Sequence, residues 1–260
     1  MELTIEDVKC RAKREDFRAG VQMRLLMPRL SVHVTRWMLA RTSWKPDQVT
    51  VVSGLIGLGA AAGFASTEPL VVVLALLAYH VHVLLDYVDG ELARCRNETS
   101  VAGAYLDLMT DRVTFPLLVF CAGVGVYRQL GQPAALVAAF VASFGLFLDK
   151  EAVDCWYRAN AGAPHELEDR YVAAPPRTGW RRWRGRLALG AVMVRGLTAF
   201  LTYTAGAAIL DGIQPLAVAG IGGYRALVLW LFAALMPAGA LARMAYVYGR
   251  GAIPRRQQLL

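Results

Sequence analysis

Four aspartates, Asp86, Asp89, Asp107 and Asp111, sit in one short stretch beside apolar runs long enough to span a bilayer. An ionisable group at membrane depth costs about 2.5–3.5 kcal/mol on insertion scales, so four in one hairpin point to function. Crowded carboxylates repel and take up protons unless cations compensate them. Hard divalent ions with oxygen ligands are the natural compensation, and sites that act on phosphates often use two of them. Magnesium fits because it binds through a few carboxylates and keeps positions for water and phosphate oxygens; manganese is the second option. Arg94 is a cation beside the aspartates that can face phosphate oxygens. Gly90 and Gly103 flank the site with no side chain to obstruct a ligand, and Ala93 is small for the same reason. The constellation suggests a phosphate or pyrophosphate substrate.

These residues must be positioned by two helices. The second and third apolar segments are joined by only a few residues, near Asn97 to Ser100, so they are predicted to be antiparallel neighbours. Asp89 and Asp107 are equidistant from residue 98, and Asp86 and Asp111 pair about the same midpoint, which puts each pair at matching depth. Asp86 and Asp89 are three apart and Asp107 and Asp111 four apart, so each pair occupies one helical face. His82, four residues before Asp86, lies on the same face and reads chiefly as a packed neutral histidine. Glu91 and Glu98 read as solvated interface charges.

The remaining chain is consistent with an all-α, polytopic membrane protein. It has 260 residues, 56% hydrophobic, with a mean hydropathy of +0.40, too apolar for an ordinary soluble domain. Apolar segments at about 49–67, 69–93, 101–127, 133–157, 187–210 and 215–248 predict six transmembrane helices. Gly220, Gly222 and Gly223 suggest that the last begins as a separate turn, and Gly59 with Gly63 suggests close helix packing in the first span. Before them, Leu30, Val34, Trp37 and Met38 recur at helical spacing, with Ser31, Thr35 and Arg36 between them, as in an N-terminal interfacial amphipathic helix. The expected division is a cytoplasmic lead and interfacial helix over 1–48, a transmembrane domain over 49–250 and a cytoplasmic tail over 251–260. The charged first 45 residues predict no removable signal peptide.

The net charge of +8 comes from Lys and Arg clustered beside apolar runs, which fits topology control and anionic lipid and excludes a nucleic-acid groove. Ten basic residues precede the first span, whereas Arg128 and Arg225 mark the opposite side. The positive-inside rule therefore places both termini and the aspartate hairpin in the cytoplasm, and with them the loop over about 158–186. Cys10, Cys95, Cys121 and Cys155 are far apart and indicate neither a disulfide framework nor a zinc site.

The pattern D-x2-D-G-x2-A-R-x8-G-x3-D-x3-D over residues 86 to 111 resembles the signature of the CDP-alcohol phosphotransferase family at every fixed position. Pro46-Asp47-Gln48-Val49-Thr50 resembles the element that precedes the first span in that family, with Asp47 in place of the usual Asn. The resemblance implies that Asp86, Asp89 and Asp107 supply most ligands of a two-metal site, with Asp111 beside it. It further implies that Gly90, Ala93, Arg94 and Gly103 shape a CMP pocket, with Asp47 and Thr50 in the preceding element. Asp111 would take the proton from an acceptor hydroxyl, whose oxygen attacks the phosphorus bearing the donor alcohol as CMP leaves. A homodimer is implied in the same way.

Apolar helices offer grooves for the acyl chains of CDP-diacylglycerol, with a soluble CDP-alcohol as the alternative donor. Lys150, Arg195 and Arg243 lie near the cytoplasmic ends of the last three spans and are expected to meet an anionic acceptor such as inositol phosphate or glycerol phosphate. Asp149, Glu151 and Asp154 would oppose that by neutralising Lys150, or favour a cationic or polyol acceptor. A divalent-cation transporter is the competing class. It predicts polar residues continuing across the bilayer, and the second and third spans are almost wholly apolar beyond His80 and Arg112.

Overall fold

A computed structural model describes Ile5 and residues 21–159, 197–213 and 222–251. The rest of the charged lead, Arg195, most of the predicted cytoplasmic loop and the tail after Gly251 lie outside the described residues. Seven helices make up the described chain, and no strand occurs among those residues. They are α1 (Val21–Arg41), α2 (Pro46–Phe64), α3 (Pro69–Arg96), α4 (Val101–Leu130), α5 (Ala134–Ala159), α6 (Leu197–Ile213) and α7 (Tyr224–Gly251).

Helix punctuation follows local chemistry. Pro46 and Pro69 open α2 and α3 at positions where a missing amide proton is harmless. Asn97 ends α3 in the left-handed conformation, φ 56°, and the Glu98 amide reaches back to the Ala93 carbonyl at 2.8 Å. Three residues on, the Ser100 hydroxyl accepts from the Gly103 amide at 2.9 Å and starts α4. The short turn expected at 97–100 is therefore built from one left-handed cap and one side-chain cap, but the helices it joins are not the packed neighbours expected: α3 and α4 each pack on α2 instead of on one another.

Helix α3 packs on α1, α2 and α6, while α4 packs on α2, α5, α6 and α7. The interior is lined by small residues, including Ala60, Ala61, Ala75, Ala122, Ala138, Ala139 and Ala142, all buried. Small side chains let helix backbones approach where lipid gives no hydrophobic drive to associate. A methyl at Gly123 would overlap Ala139, and one at Gly145 would meet the Pro237 nitrogen at 2.6 Å. Of the predicted Gly59 and Gly63 pair, only Gly63 behaves this way: a methyl there would meet Ala75 at 2.8 Å, while Gly59 has nothing within 4 Å.

Four helices are long and apolar enough to cross a membrane, Pro46–Phe64, Pro69–Arg96, Val101–Leu130 and Tyr224–Tyr246. Their outer faces carry exposed Leu55, Leu58, Leu70, Leu74 and Leu77, a surface suited to lipid. Helix α5 is of similar length but gathers Asp149, Lys150, Glu151 and Asp154 near its end, and α6 is apolar over only 17 described residues. The last helix starts at Tyr224, later than the apolar run predicts, because Gly222 and Gly223 take φ of 79° and 134° just before it.

The sequence pattern for α1 needs correction. Ser31 and Thr35, read as lying between apolar positions, face inward and are fully buried with Met27, Val32 and Met38, whereas Leu30 and Trp37 are exposed. The inward face is partly polar because it meets a carboxylate of α3, described below.

Arg225, read as an outer-side charge marker, is also buried, with 1% of its surface exposed. Its Nη1 donates to the Ser66 carbonyl at 2.8 Å and its Nη2 to the Phe64 carbonyl at 3.1 Å, capping the end of α2. Asp211 accepts from the Tyr224 and Arg225 amides at 2.7 and 3.1 Å and caps the start of α7. Arg225→Met strips donors from two carbonyls at a buried helix end, at about 1–3 kcal/mol each. A clearly lowered thermal midpoint in detergent is expected, and an unchanged midpoint would show that the cap contributes nothing.

Candidate active site

Near the aspartate end of α3 and α4 lies a cavity of about 790 Å³, bounded by α1, α2, α3, α4 and the 97–100 turn. Asp47, Thr50, Asp86, Asp89, Gly90, Ala93, Arg94, Gly103 and Asp107 all line it. Three helices thus bring nine of the residues singled out in the sequence to one surface. Its volume is in the range of small-ligand and cofactor sites.

Asp86, Asp89 and Asp107 each offer a carboxylate oxygen, and these oxygens lie within 4.8 Å of one another. Of the two pairs expected at matching depth, Asp89 and Asp107 meet within this trio, whereas Asp86 joins them without Asp111. Asp89 is buried, and its Oδ2 accepts from the Thr50 hydroxyl at 2.5 Å, a short bond of the charge-assisted kind. The same hydroxyl sits 3.2 Å from the Pro46 carbonyl one turn back, so α2 holds Thr50 from its own backbone. Thr50 belongs to the Pro46–Thr50 element, and its contact with Asp89 is what that element does for the cluster.

The glycines leave room where expected. A methyl at Gly90 would come within 3.1 Å of Arg94 Nη1, so the guanidinium folds back over the glycine one turn earlier. A methyl at Gly103 would meet Asp47 Oδ1 at 3.0 Å and Ser100 Oγ at 3.2 Å. Asp47 therefore faces Gly103 across the cavity between α2 and α4.

Asp111 lies outside the group of oxygens that meet within 4.8 Å, yet close enough to act electrostatically on Asp86. The Oδ2 of Asp111 accepts from Lys150 Nζ of α5 at 3.3 Å, and its Oδ1 is buried with no hydrogen-bond partner. Lys150 also lies 3.8 Å from the centre of the Phe115 ring. Around it is a second charged group: Arg243 of α7 pairs with Asp149 at 2.8 Å, and Arg112 pairs with Glu151 and Asp154. Lys150 and Arg243 are therefore each held by a carboxylate at the junction of α4, α5 and α7. Lys150 is neutralised by Asp111 and not, as expected, by Asp149, Glu151 or Asp154, which pair with Arg243 and Arg112.

Two contacts lay outside the sequence reading. Glu91 is buried: the Ser31 and Thr35 hydroxyls of α1 donate to its Oε1 and Oε2, each at 2.6 Å. The signal available was Ser31 and Thr35 four residues apart, one polar face on an otherwise apolar helix. Arg96 donates to the Trp44 and Thr42 carbonyls at 2.6 and 3.0 Å, tying the α1–α2 connection to the end of α3. His82 is fully buried, with Nδ1 at 2.8 Å from the Ser53 hydroxyl and its ring edge-on to Phe115, the packed histidine that its spacing suggested.

The family model described as CDP-alcohol phosphatidyltransferase matches residues 44–163, from just before α2 to just past α5, with every motif position inside. Over this segment the chain is similar to the CDP-alcohol phosphatidyltransferase family. The chain is 32% identical over 150 residues to the bifunctional IPC transferase and DIPP synthase of Thermococcus kodakarensis, across 55% of this chain and 32% of that protein. It is 29% identical over 130 residues to an uncharacterized protein of Aquifex aeolicus, across 49% of this chain and 64% of that protein. The matches span less than two thirds of the length of either relative.

Proposed function

We propose that the chain is an integral membrane phosphotransferase that moves a substituted phosphate from a CDP-alcohol to the hydroxyl of a polar acceptor and releases CMP, in phospholipid biosynthesis. The observation that carries this reading is the clustering of Asp86, Asp89 and Asp107 in a cavity that also holds Arg94, Gly90 and Gly103, inside the segment matching the family. The Thermococcus relative, a transferase and synthase by name, is in line with group transfer. Behind the aspartates, past His82 and Ser53, the buried interior turns to Leu118, Val119, Ala122, Val126 and Phe232, which favours an enzyme over an ion conduit.

The donor set fits hard divalent ions: three carboxylates at close quarters, with the buried, unpartnered Oδ1 of Asp111 as a further oxygen. Asp86, Asp89 and Asp107 would hold two Mg2+, or Mn2+, with Asp111 as the remaining ligand. Such ions offset the carboxylate charge, polarise phosphoryl oxygens and stabilise CMP as it leaves. Thr50 fixes one Asp89 oxygen by its hydrogen bond. Arg94 pairs with diphosphate oxygens, and Asp47, Thr50, Gly90, Ala93 and Gly103 form the surface that takes CMP. Asp111 accepts the proton of the acceptor hydroxyl. That oxygen bonds to the phosphorus bearing the donor alcohol, and the bond from this phosphorus to the CMP oxygen breaks with its electron pair leaving on CMP.

The preferred donor is CDP-diacylglycerol, whose acyl chains suit the exposed apolar helix faces, with a soluble CDP-alcohol as the alternative. The acceptor is an anionic polyol phosphate such as inositol phosphate or glycerol phosphate, met by Lys150, Arg243 and Arg195. Its phosphate would compete with Asp111 and Asp149 for the first two. Six spans with α1 at the interface, both termini and the site cytoplasmic, the 1–48, 49–250 and 251–260 division and a homodimer complete the reading.

The test is CMP release by purified protein with Mg2+ and a panel of CDP-alcohols and hydroxyl compounds. Release that needs donor, acceptor and metal together supports transfer. Divalent-ion flux in liposomes with no CMP release from any pair would support the transporter instead.

A further inference from the structure

Helix α3 carries three acidic residues, and the reaction above uses Asp86 and Asp89 but not Glu91. Glu91 stands two positions past Asp89, a turn of about 200° that carries it toward α1 while it still borders the same cavity. There it is 6% exposed, and each carboxylate oxygen accepts one hydroxyl, from Ser31 and Thr35, both at 2.6 Å and both fully buried. Bonds this short are charge-assisted and strong for their kind. The two donors sit four apart on one face of α1, so a one-residue roll of that helix, about 100°, would break both. The same helix lines the cavity with Pro28, Arg29, Val32 and His33.

Apolar contacts also hold α1. Val32 packs with Cys95, and Met38 packs with Val88 and Leu92. Such contacts are non-directional and fix distance better than rotation. The paired hydroxyls on one carboxylate add direction.

We infer that Glu91 is a positioning residue, locking α1 in the rotation that brings Arg29 and His33 to the wall of the donor cavity, where Arg29 supplies a cation to the anionic donor. The inference rests on the proposed transferase reading for its substrate, but the docking of α1 is independent of it.

The experiment uses the full chain in lipid nanodiscs with saturating acceptor and Mg2+, varying the CDP-alcohol. Glu91→Ala and the double variant Ser31→Ala/Thr35→Ala are expected to raise the donor KM about tenfold while kcat falls less than about threefold, the signature of lost binding. Glu91→Gln should recover most of the affinity, because its amide accepts one hydroxyl bond and donates the other. Arg29→Ala should raise donor KM in the wild type and add nothing in the Glu91→Ala background, since α1 is already displaced there. Amide hydrogen exchange should quicken across α1 in the Glu91→Ala and double variants and stay unchanged in α6, which controls for general unfolding. An unchanged donor KM in Glu91→Ala, or additive effects of Glu91→Ala and Arg29→Ala, overturns the positioning role. A wild type that releases no CMP from any CDP-alcohol overturns the transferase reading alone. Exchange in α1 then decides, and unchanged exchange in Glu91→Ala overturns the docking as well.

Discussion

Asp111→Asn is expected to lower CMP release by about a thousandfold, within the 10²–10⁴ range of a lost general base, while donor affinity stays within about threefold of wild type. The reason is positional. Asp111 lies one helical turn beyond Asp107 on α4, outside the close trio, with Oδ2 held by Lys150 and Oδ1 unpartnered in the interior. An Asn side chain keeps the shape, and its carbonyl oxygen can still accept from Lys150. Its amide then replaces the unpartnered oxygen and can accept no proton. The donor surface is built from α1, α2 and the facing stretches of α3 and α4 as far as Asp107 and does not include Asp111, and Asp86, Asp89 and Asp107 remain to hold the ions when the Asp111 oxygen is lost as a ligand. Steady-state kinetics with donor and acceptor varied separately, beside direct donor binding, would check this. Equal CMP release by wild type and variant would remove Asp111 as the base.

The second large effect is metal removal. Chelation should bring CMP release to background, and Mg2+ or Mn2+ should restore it. A readout independent of turnover follows from the electrostatics: three carboxylates within 4.8 Å of one another repel without a cation. Saturating Mg2+, about 100 times its dissociation constant, would stabilise the folded chain by about 2.7 kcal/mol. For a chain of this size that raises the thermal midpoint by roughly 5–10 °C. Asp107→Asn should raise the metal-free midpoint, because one repelling charge is gone, and erase most of the Mg2+ shift. A wild-type midpoint indifferent to Mg2+, with activity surviving chelation, would remove the metal site.

The candidate site was largely legible because its residues are close in sequence and obey a helix's own geometry. Spacings of three and four within Asp86–Asp89 and Asp107–Asp111 and a short connection at 97–100 place these carboxylates at one end of α3 and α4, and α2, on which both helices pack, completes the arrangement in a way no local spacing encodes. The contacts that stayed hidden join helices far apart in the chain. Thr50 to Asp89 spans 39 residues and Ser31 to Glu91 spans 60, and no local pattern encodes either. Glu91 reads as a solvated charge because its neighbours Arg94 and Arg96 are polar, yet its burial depends on two hydroxyls of α1. Arg225 illustrates the same limit: a basic residue beside a glycine-rich stretch resembles a topology marker until its carbonyl partners at Phe64 and Ser66 are seen. Charge counting locates where a cation stands along the chain and says nothing of whether a distant helix end needs its protons.

Those long-range caps also impose an order of assembly on a chain that emerges from its N-terminus. Glu91, which anchors α1, and Arg96, which anchors the α1–α2 connection, both belong to α3, so the earliest described helix gains these anchors only once the third has been made. The carbonyls at the end of α2 wait longer, because the Arg225 guanidinium that satisfies them stands at the start of the last described helix. In a bilayer such waiting carbonyls must borrow partners from water or headgroups in the interval. Synthesis and maturation are thus separate events for this protein: arrested or truncated chains lacking α7 should insert, yet remain open at one end of α2 and prone to capture by quality-control proteases.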